Sequence, residues 1–222
     1  ISLTAGWTEK AKVQRPYIGI DFERYYFTGQ ESYFDYTLKA GGFLRNGEME
    51  DINLLANMDY FSHLFRLGKW KQRNFISAAI AHQWNRTLNE PLFLQTDFGV
   101  REWKMDTLLA GKTRITLKVE PVFFPPWNLA NFRFAPFVFG NVCLFTHTEQ
   151  EFSQSQWFNS IGGGVKTRNE SLIFGTMELR VYYFPQRNYF GDYWRLEFNT
   201  NIRFKYSRRF DKKPDLANVN FM

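Results

Sequence analysis

The sequence predicts an all-β protein, a transmembrane antiparallel β-barrel with about ten strands, and three observations lead to this class. The first is a period of two between apolar and polar side chains, which recurs along most of the 222 residues. The second is composition: 19% of the residues are aromatic while the mean hydropathy is only -0.42, so aromatic side chains are interleaved with polar ones. The third is that no apolar run approaches the roughly 20 residues that a membrane-spanning helix needs.

The alternation is clearest between residues 193 and 206. Alternate residues of a strand point to opposite sides, so this segment has one apolar face and one polar, charge-rich face. We expect the apolar set to face lipid and the polar set to face a lumen; the sets are Trp194, Leu196, Phe198, Ile202 and Phe204, and Arg195, Glu197, Asn199 and Arg203. A segment of this length is long for a soluble strand but suits a tilted membrane-spanning strand.

Similar alternation marks ten segments of the chain. Turn-forming residues such as Asn46-Gly47 and Pro125-Pro126 separate them, and aromatic residues crowd their ends, where the interfacial girdles of a membrane barrel lie. The sequence therefore predicts a barrel over residues 1–206, with a long connection at 85–110, and a C-terminal tail at 207–222. The segments lie near residues 1–10, 15–27, 31–45, 49–63, 70–84, 111–124, 130–146, 156–168, 171–185 and 192–206.

Two other architectures fit part of this pattern. A soluble β-sandwich or lipocalin-like barrel also has alternating strands, but it packs its apolar face inward around a small lumen. Alternatively, the ten segments are part of a larger, sixteen-stranded barrel. The chain begins at Ile1 with neither an initiator methionine nor a signal peptide, and we expect it to be processed or a fragment.

Charge and residue types argue against several classes of function. The net charge is +6, but the basic residues are dispersed along the chain, which predicts no nucleic-acid partner. Cys143 is the one cysteine and the three histidines lie far apart, so we expect no metal site and no cofactor. The pairs Ser62–His63 and Ser77–His82 have odd separations, which place serine and histidine on opposite faces of a strand, and we predict that the protein is not an enzyme.

One motif in the long connection resembles a known family. Val100-Arg101-Glu102-Trp103 is similar to the Val-Arg-Gly-Phe/Tyr signature of the C-terminal β-barrel of the BamA/TamA superfamily, which includes the two-partner secretion transporters. In that family the signature lies on a long extracellular loop that folds back into the lumen, and five strands follow it, as five segments do here. The stretch 119–125 matches the first of those strands, with a glutamate before an aromatic residue and a proline, and 160–165 matches a later glycine-rich start.

The chain also departs from the family. Glu102 stands where the signature has glycine, which removes the conformational freedom of that turn. The segment 137–142 lacks an aspartate that precedes a glycine in the family, and residues continue beyond 206, where the family usually ends. Five segments precede the loop, where sixteen-stranded relatives have eleven, and we expect no periplasmic repeat domain within these 222 residues. A second resemblance is to large outer-membrane proteins that join an N-terminal carboxypeptidase-regulatory-like domain to such a barrel.

The resemblance implies a protein of the bacterial outer membrane that inserts or translocates polypeptides, or a structural subunit of such a machine. Its partners would be the lipid bilayer, unfolded outer-membrane or secreted polypeptides, and other subunits of an outer-membrane complex. A passive porin-like channel is the alternative, because a water-lined interior of mixed charge is all that a porin requires. The resemblance also implies a topology in which the connections at 85–110, 147–156 and 186–191 lie outside the cell and the turns at 125–129 and 168–171 lie in the periplasm.

The candidate site is an ion pair inside the lumen. By alternation Glu120 shares the inward face with Lys118, and Glu178 lies on the corresponding face of a later strand. We expect Arg101 to reach Glu120 or Glu178 and to pin the loop, with Trp103 packed against the inner wall. The alternative is that Arg101 is a solvated loop charge, since most such ion pairs contribute little.

Overall fold

The structure of the chain is a computed structural model that describes residues 1–28, 31–103, 109–129, 132–169, 176–186 and 192–200. These residues form thirteen β-strands and a single turn of 3-10 helix at Phe152–Gln154. None of the helical residues described is part of a helix long and apolar enough to cross a membrane. The strands are β1 (Ser2–Lys10), β2 (Val13–Thr28), β3 (Ser32–Arg45), β4 (Glu48–Phe61), β5 (Phe65–Leu67), β6 (Trp70–Trp84), β7 (Leu92–Phe93), β8 (Ala110–Phe124), β9 (Asn128–Leu129), β10 (Phe132–His147), β11 (Gln156–Asn169), β12 (Met177–Tyr183) and β13 (Trp194–Thr200).

All strands belong to one antiparallel sheet. Ten of them follow one another in the order β1-β2-β3-β4-β6-β8-β10-β11-β12-β13, while the short strands β5, β7 and β9 pair locally with β6, β8 and β10. The prediction of an all-β protein with ten alternating segments is therefore confirmed. Over the described residues β1 and β13 do not pair with each other, and the sheet is open there. The segment 201–206 and the tail at 207–222, with Ile202, Arg203 and Phe204, lie outside the described residues.

Antiparallel pairing places the connections alternately at two ends of the sheet. We call one the loop end, because it carries the long connection between β6 and β8 together with the connections β10–β11 and β12–β13. The two-residue turns 11–12 and 46–47 also lie there, and positive φ angles at both residues of each turn match hairpins of the primed type. The sequence-based grouping of 85–110, 147–156 and 186–191 at one end is confirmed. Which side of a membrane that end faces stays a prediction.

The two faces of the sheet differ sharply. One face, which we call the apolar face, presents aliphatic and aromatic side chains to the outside on every long strand. Their exposed fractions are high for such residues, for example 54% for Ile18, 47% for Leu117 and 66% for Leu196. The prediction that Trp194, Leu196 and Phe198 share one exposed face, while Arg195 and Glu197 share the other, is confirmed.

Tryptophans mark the loop end of the apolar face. Trp7, Trp84, Trp157 and Trp194 lie on β1, β6, β11 and β13, and each is between 44% and 69% exposed. We number each row of cross-strand partners by its residue on β2. The four tryptophans lie in rows 16, 18, 22 and 26, respectively, so the line through them is oblique to the strands. A second aromatic group lies towards the other end and contains Tyr26, Phe34, Tyr36, Trp70 and Trp127.

The opposite face, which we call the loop face, carries the core. Its main cluster joins residues of β8, β10, β11 and β12 to residues of the β6–β8 connection, including Val100, Trp103, Phe145 and Phe184. Glycines make room for this packing: a Cβ at Gly164 would overlap the carbonyl oxygen of Leu179 and lie 2.7 Å from Cζ of Phe137. The glycines in the middle of β11 therefore let aromatic rings of β10 lie against the neighbouring strand.

Candidate functional site

The long connection between β6 and β8 lies across the loop face and is held to it at several points. The sequence shows little alternation at 85–110, but the connection includes the short strand β7, which pairs with β8. Near its start it bonds to β4, and at Glu102 it reaches β13, where Arg195 Nη1 donates to the carbonyl oxygen of Glu102 over 2.8 Å. The described part of the connection therefore contacts strands near both edges of the sheet.

Asp51 of β4 anchors the start of the connection. Its carboxylate is fully buried and accepts hydrogen bonds from Arg15 Nη1 at 2.5 Å and from the backbone N–H of Thr87 at 2.6 Å. The backbone N–H groups of Leu88 and Asn89 donate to the same carboxylate at 3.2 Å. A buried carboxylate is stable only when it is paired and hydrogen-bonded in this way, so this contact fixes the first turn of the loop.

Glu102 anchors the other end. Its side chain is 7% exposed, and Oε1 accepts hydrogen bonds from Asn141 Nδ2 at 2.7 Å and from the hydroxyl of Ser160. Asn141 and Ser160 are cross-strand partners on β10 and β11, so the two donor groups lie side by side on the loop face. The residue that departs from the signature is therefore one of those that tie the loop to the sheet.

The neighbours of Glu102 pack into the core. Val100 is completely buried, and Trp103 is 2% exposed. The Trp103 ring meets the rings of Phe158 and Phe184 edge-on, at centroid distances of 5.2 and 5.1 Å. The expectation that Trp103 packs against the wall on the loop face is confirmed.

The structure gives Arg101 a different partner from the one the sequence predicts. Its guanidinium forms an ion pair with Asp97, four residues earlier in the same loop, and both side chains are about half exposed. Glu120 and Glu178 instead pair with Lys166 and Arg180. The predicted pair between Arg101 and Glu120 or Glu178 is wrong, because cations on the wall itself are already within reach of both carboxylates.

Those wall residues form a four-membered charge cluster on β8, β11 and β12, which we call the charge quartet: Glu120, Lys166, Glu178 and Arg180. Arg180 bridges Glu178 on its own strand and Glu120 three strands away, the latter at 2.6 Å. The Arg180 guanidinium also lies 4.8 Å from the ring centroid of Phe137, which lies beneath it. Glu120 and Glu178 lie on the same face of the sheet, as alternation predicts, and the quartet links β8, β11 and β12 through ion pairs that cross β10.

A cavity of about 610 Å³ lies beside the quartet on the loop face. Arg101 and Glu102 of the loop border it, as do side chains from β3 and β4 on one wall and from β12 and β13 on the other. Strands near both edges line one cavity, so the sheet curls around it.

Sequence reasoning singled out Glu102 only as a departure from the signature and missed its anchoring role, and it missed Asp51 and the aromatic part of the cavity wall. The signal for Glu102 was weak, since its two donors lie 39 and 58 residues later in the chain. In the serine–histidine pairs, Ser62 Oγ donates to the backbone carbonyl of His63, and His82 Nδ1 is hydrogen-bonded to Thr113 Oγ1 at 2.7 Å. Among the described residues no group of three or more His, Cys, Asp or Glu side chains could hold a metal ion.

Comparison of the chain with protein-family models, with curated protein sequences and with solved structures gives no match. The resemblance to the BamA/TamA barrels therefore stays a prediction from the motif.

Proposed function

We propose that the sheet is the wall of a β-barrel in the bacterial outer membrane, and that the apolar face is its lipid-facing side. The observation that carries this proposal is the line of four tryptophans on that face. Interfacial tryptophans mark the plane where the bilayer meets water, so a line through them should follow the membrane surface. Soluble proteins seldom expose a continuous apolar face of ten strands.

The slope of that line agrees with the tilt of membrane strands. From Trp7 on β1 to Trp194 on β13 the register shifts from row 16 to row 26 across the ten-strand path. At ~3.3 Å per residue and ~4.8 Å between strands, this is ~33 Å along the strands over ~43 Å across them, a tilt of ~38°. Membrane barrels have strands tilted by about 35–45°.

The height of the apolar band also fits a bilayer. On β2, Pro16 is the partner of Trp7, and Tyr26 belongs to the second aromatic group. The ~33 Å of strand between them, tilted by ~38°, spans ~26 Å along the membrane normal, close to the ~25 Å band of outer-membrane barrels.

Paired arginine substitutions test the membrane location. Leu117 lies midway along β8 and Leu67 lies near the turn before β6, and they are similarly exposed, at 47% and 53%. Leu117→Arg should destabilise the protein folded in phospholipid vesicles by ~2–4 kcal/mol and Leu67→Arg by only ~0–1 kcal/mol, measured by denaturant titration. Equal and small effects of both substitutions would place the apolar face in water and reject the proposal.

We further propose that the barrel inserts or translocates polypeptides, and that the edges of β1 and β13 receive the incoming strand. Each of these strands has one hydrogen-bonded neighbour among the described residues. An unpaired strand edge presents a row of backbone donors and acceptors that can template another strand. The docked loop supports this function over that of an open pore, because it occupies the loop face between Asp51 and β13.

Disulfide crosslinking tests the edge. Two variants are compared in a Cys143→Ser background: Leu196→Cys on the edge strand β13 and Val138→Cys on the central strand β10. Both positions lie on the apolar face, and the original side chains are 66% and 51% exposed. An unfolded β-barrel polypeptide with one cysteine in a terminal strand should crosslink to position 196 during its insertion and not to position 138, since bridged Cα atoms must lie within about 7 Å. Equal crosslinking, or none, contradicts an edge mechanism.

A passive channel is the second candidate, and the mixed-charge cavity beside the charge quartet favours it. Such a channel should conduct ions steadily in a planar bilayer without any added polypeptide. Negligible steady conductance of the intact chain, together with faster folding of a β-barrel substrate in vesicles that contain it, supports insertion. The opposite pair of results supports the channel.

A further inference from the structure

A second cavity lies on the loop face, at the end of the sheet opposite the loop end, and we call it the basic pocket. Its volume of about 340 Å³ lies within the range of small-molecule sites. Side chains of β6, β8, β10 and β11 line it, and the described residues that do so include no acidic one. Lys166 borders the pocket, but its ammonium group already pairs with Glu120 and Glu178 of the charge quartet. Two arginines are therefore the cations that can take a ligand.

These two arginines face each other on one side of the basic pocket. Arg133 of β10 and Arg168 of β11 are direct cross-strand partners, so their Cβ atoms lie about 5 Å apart. Like charges in such positions repel each other, and an anion between them removes the repulsion. Among the residues that the structure describes, Arg168 has no hydrogen-bond or ion-pair partner. Arg133 makes another interaction, but a guanidinium carries five N–H donors and can hold a second partner.

The other side of the basic pocket is apolar. Phe124 and Val122 of β8 lie there, and the short side chain of Ala135 on the intervening strand β10 leaves space between them and Arg168. The Phe124 ring is 37% exposed, and within the described part of the chain it makes no contact with another ring or with a cation. An accessible aromatic ring therefore lies across the pocket from the pair of arginines.

From these two sides we infer that the basic pocket binds an amphiphilic organic anion, in which an apolar body carries one carboxylate or phosphate group. The guanidinium fork matches two oxygens of either group, so the anionic group would lie between Arg133 and Arg168. The apolar body would cover Phe124, and the removal of both apolar surfaces from water adds to the affinity. The inference depends on the loop face alone and holds whether or not the barrel inserts polypeptides.

Other ligand classes fit the basic pocket less well. The arginines repel a metal cation, and a neutral apolar molecule would bury their guanidinium groups without hydrogen bonds, which is costly. An inorganic anion would satisfy the arginines but leave the Phe124 ring in water. A nucleic acid needs a positive groove that follows its backbone, whereas here Glu120 and Glu178 follow directly beyond Lys166.

Calorimetric titration of the full chain in a non-ionic detergent, with empty micelles as the blank, tests the basic pocket. The probes are phenylbutyrate and phenyl phosphate, which both have an aromatic body and differ in the anionic group. The controls are inorganic phosphate and the neutral phenylbutyramide. We expect saturable binding of at least one aromatic anion, tighter than that of either control, and the tighter of the two anions identifies the preferred head group. If neither aromatic anion binds saturably, or if either control binds as tightly, the proposal is overturned.

Substitutions on both sides of the basic pocket locate the binding. Arg168→Gln should weaken binding of the aromatic anion about tenfold or more, and because it relieves the repulsion with Arg133 it should not destabilise the unliganded protein. Arg86→Gln removes an arginine from the β6–β8 connection at the loop end and should leave the affinity unchanged. Phe124→Ala should weaken binding, whereas Phe123→Ala changes the next side chain, on the apolar face, and should not. Unaltered affinity in Arg168→Gln or in Phe124→Ala, with the sheet intact by circular dichroism, also overturns the proposal.

Discussion

Removal of the Glu102 carboxylate should release the long loop from the sheet. The carboxylate accepts hydrogen bonds from Asn141 and Ser160 in a buried position. Hydrogen bonds to a charged group contribute about 1.5–3 kcal/mol each, and relief of the burial of the charge offsets part of the loss. We therefore expect Glu102→Ala to weaken loop docking by about 3 kcal/mol, which corresponds to a more than hundredfold rise in the population of the undocked loop.

The single cysteine reports this release. Cys143 is completely buried in the cluster that includes Val100 and Trp103, so alkylation requires the loop to move away. The rate of reaction with iodoacetamide should rise about a hundredfold in Glu102→Ala if opening is fast relative to labelling. Circular dichroism of the variant should show an unchanged sheet, because the strand ladders do not involve Glu102.

Arg101→Ala is the matched control in the neighbouring position. Its ion pair with Asp97 is half exposed, and such pairs contribute about 0–1 kcal/mol, so labelling should accelerate less than about fivefold. If Arg101→Ala exposes Cys143 as much as Glu102→Ala does, the assignment of the anchor to Glu102 is wrong and the motif arginine holds the loop after all.

Two further predictions concern the sheet and the start of the loop. Gly164→Ala should destabilise the protein by more than about 2 kcal/mol in denaturant titration, because its Cβ would overlap the carbonyl oxygen of Leu179. Gly6 has open space around it, so Gly6→Ala should be neutral to within about 0.5 kcal/mol. Equal effects of the two substitutions would contradict the close approach of β11 and β12. Asp51→Ala should remove the nearer of the two carboxylates that pair with the buried Arg15, which keeps Glu50 at 3.2 Å, and should cost about 1.5–3 kcal/mol. Hydrogen exchange should become faster at residues 87–89 than in the central strands, and unchanged protection of those amides would show that Asp51 does not hold the loop.

The period-two pattern was sufficient to predict the sheet but not the site. Alternation depends on local sequence, so each long strand and its two faces could be assigned from neighbouring residues, as for Leu196 and Glu197. The loop anchor depends on contacts between residues 39 and 58 positions apart, and no local pattern marks them. Glu102 was noticed only as a departure from a signature, and the role assigned to Arg101 came from that signature rather than from its surroundings.

The connectivity of the sheet has a consequence for the order of folding. Each long strand pairs with the long strands that precede and follow it in the chain, so the ladder consists of hairpins, and all of them except β6–β8 close comparatively short loops. The ties of the long loop are the distant ones, with Glu102 meeting Ser160 across 58 positions and Arg195 across 93. Because closing a longer loop costs more chain entropy before any contact compensates for it, these ties should form after the hairpins. The protein should therefore pass through a stage in which the sheet is complete while the loop is still free, and Cys143 should become protected from alkylation later than the strand amides do from exchange.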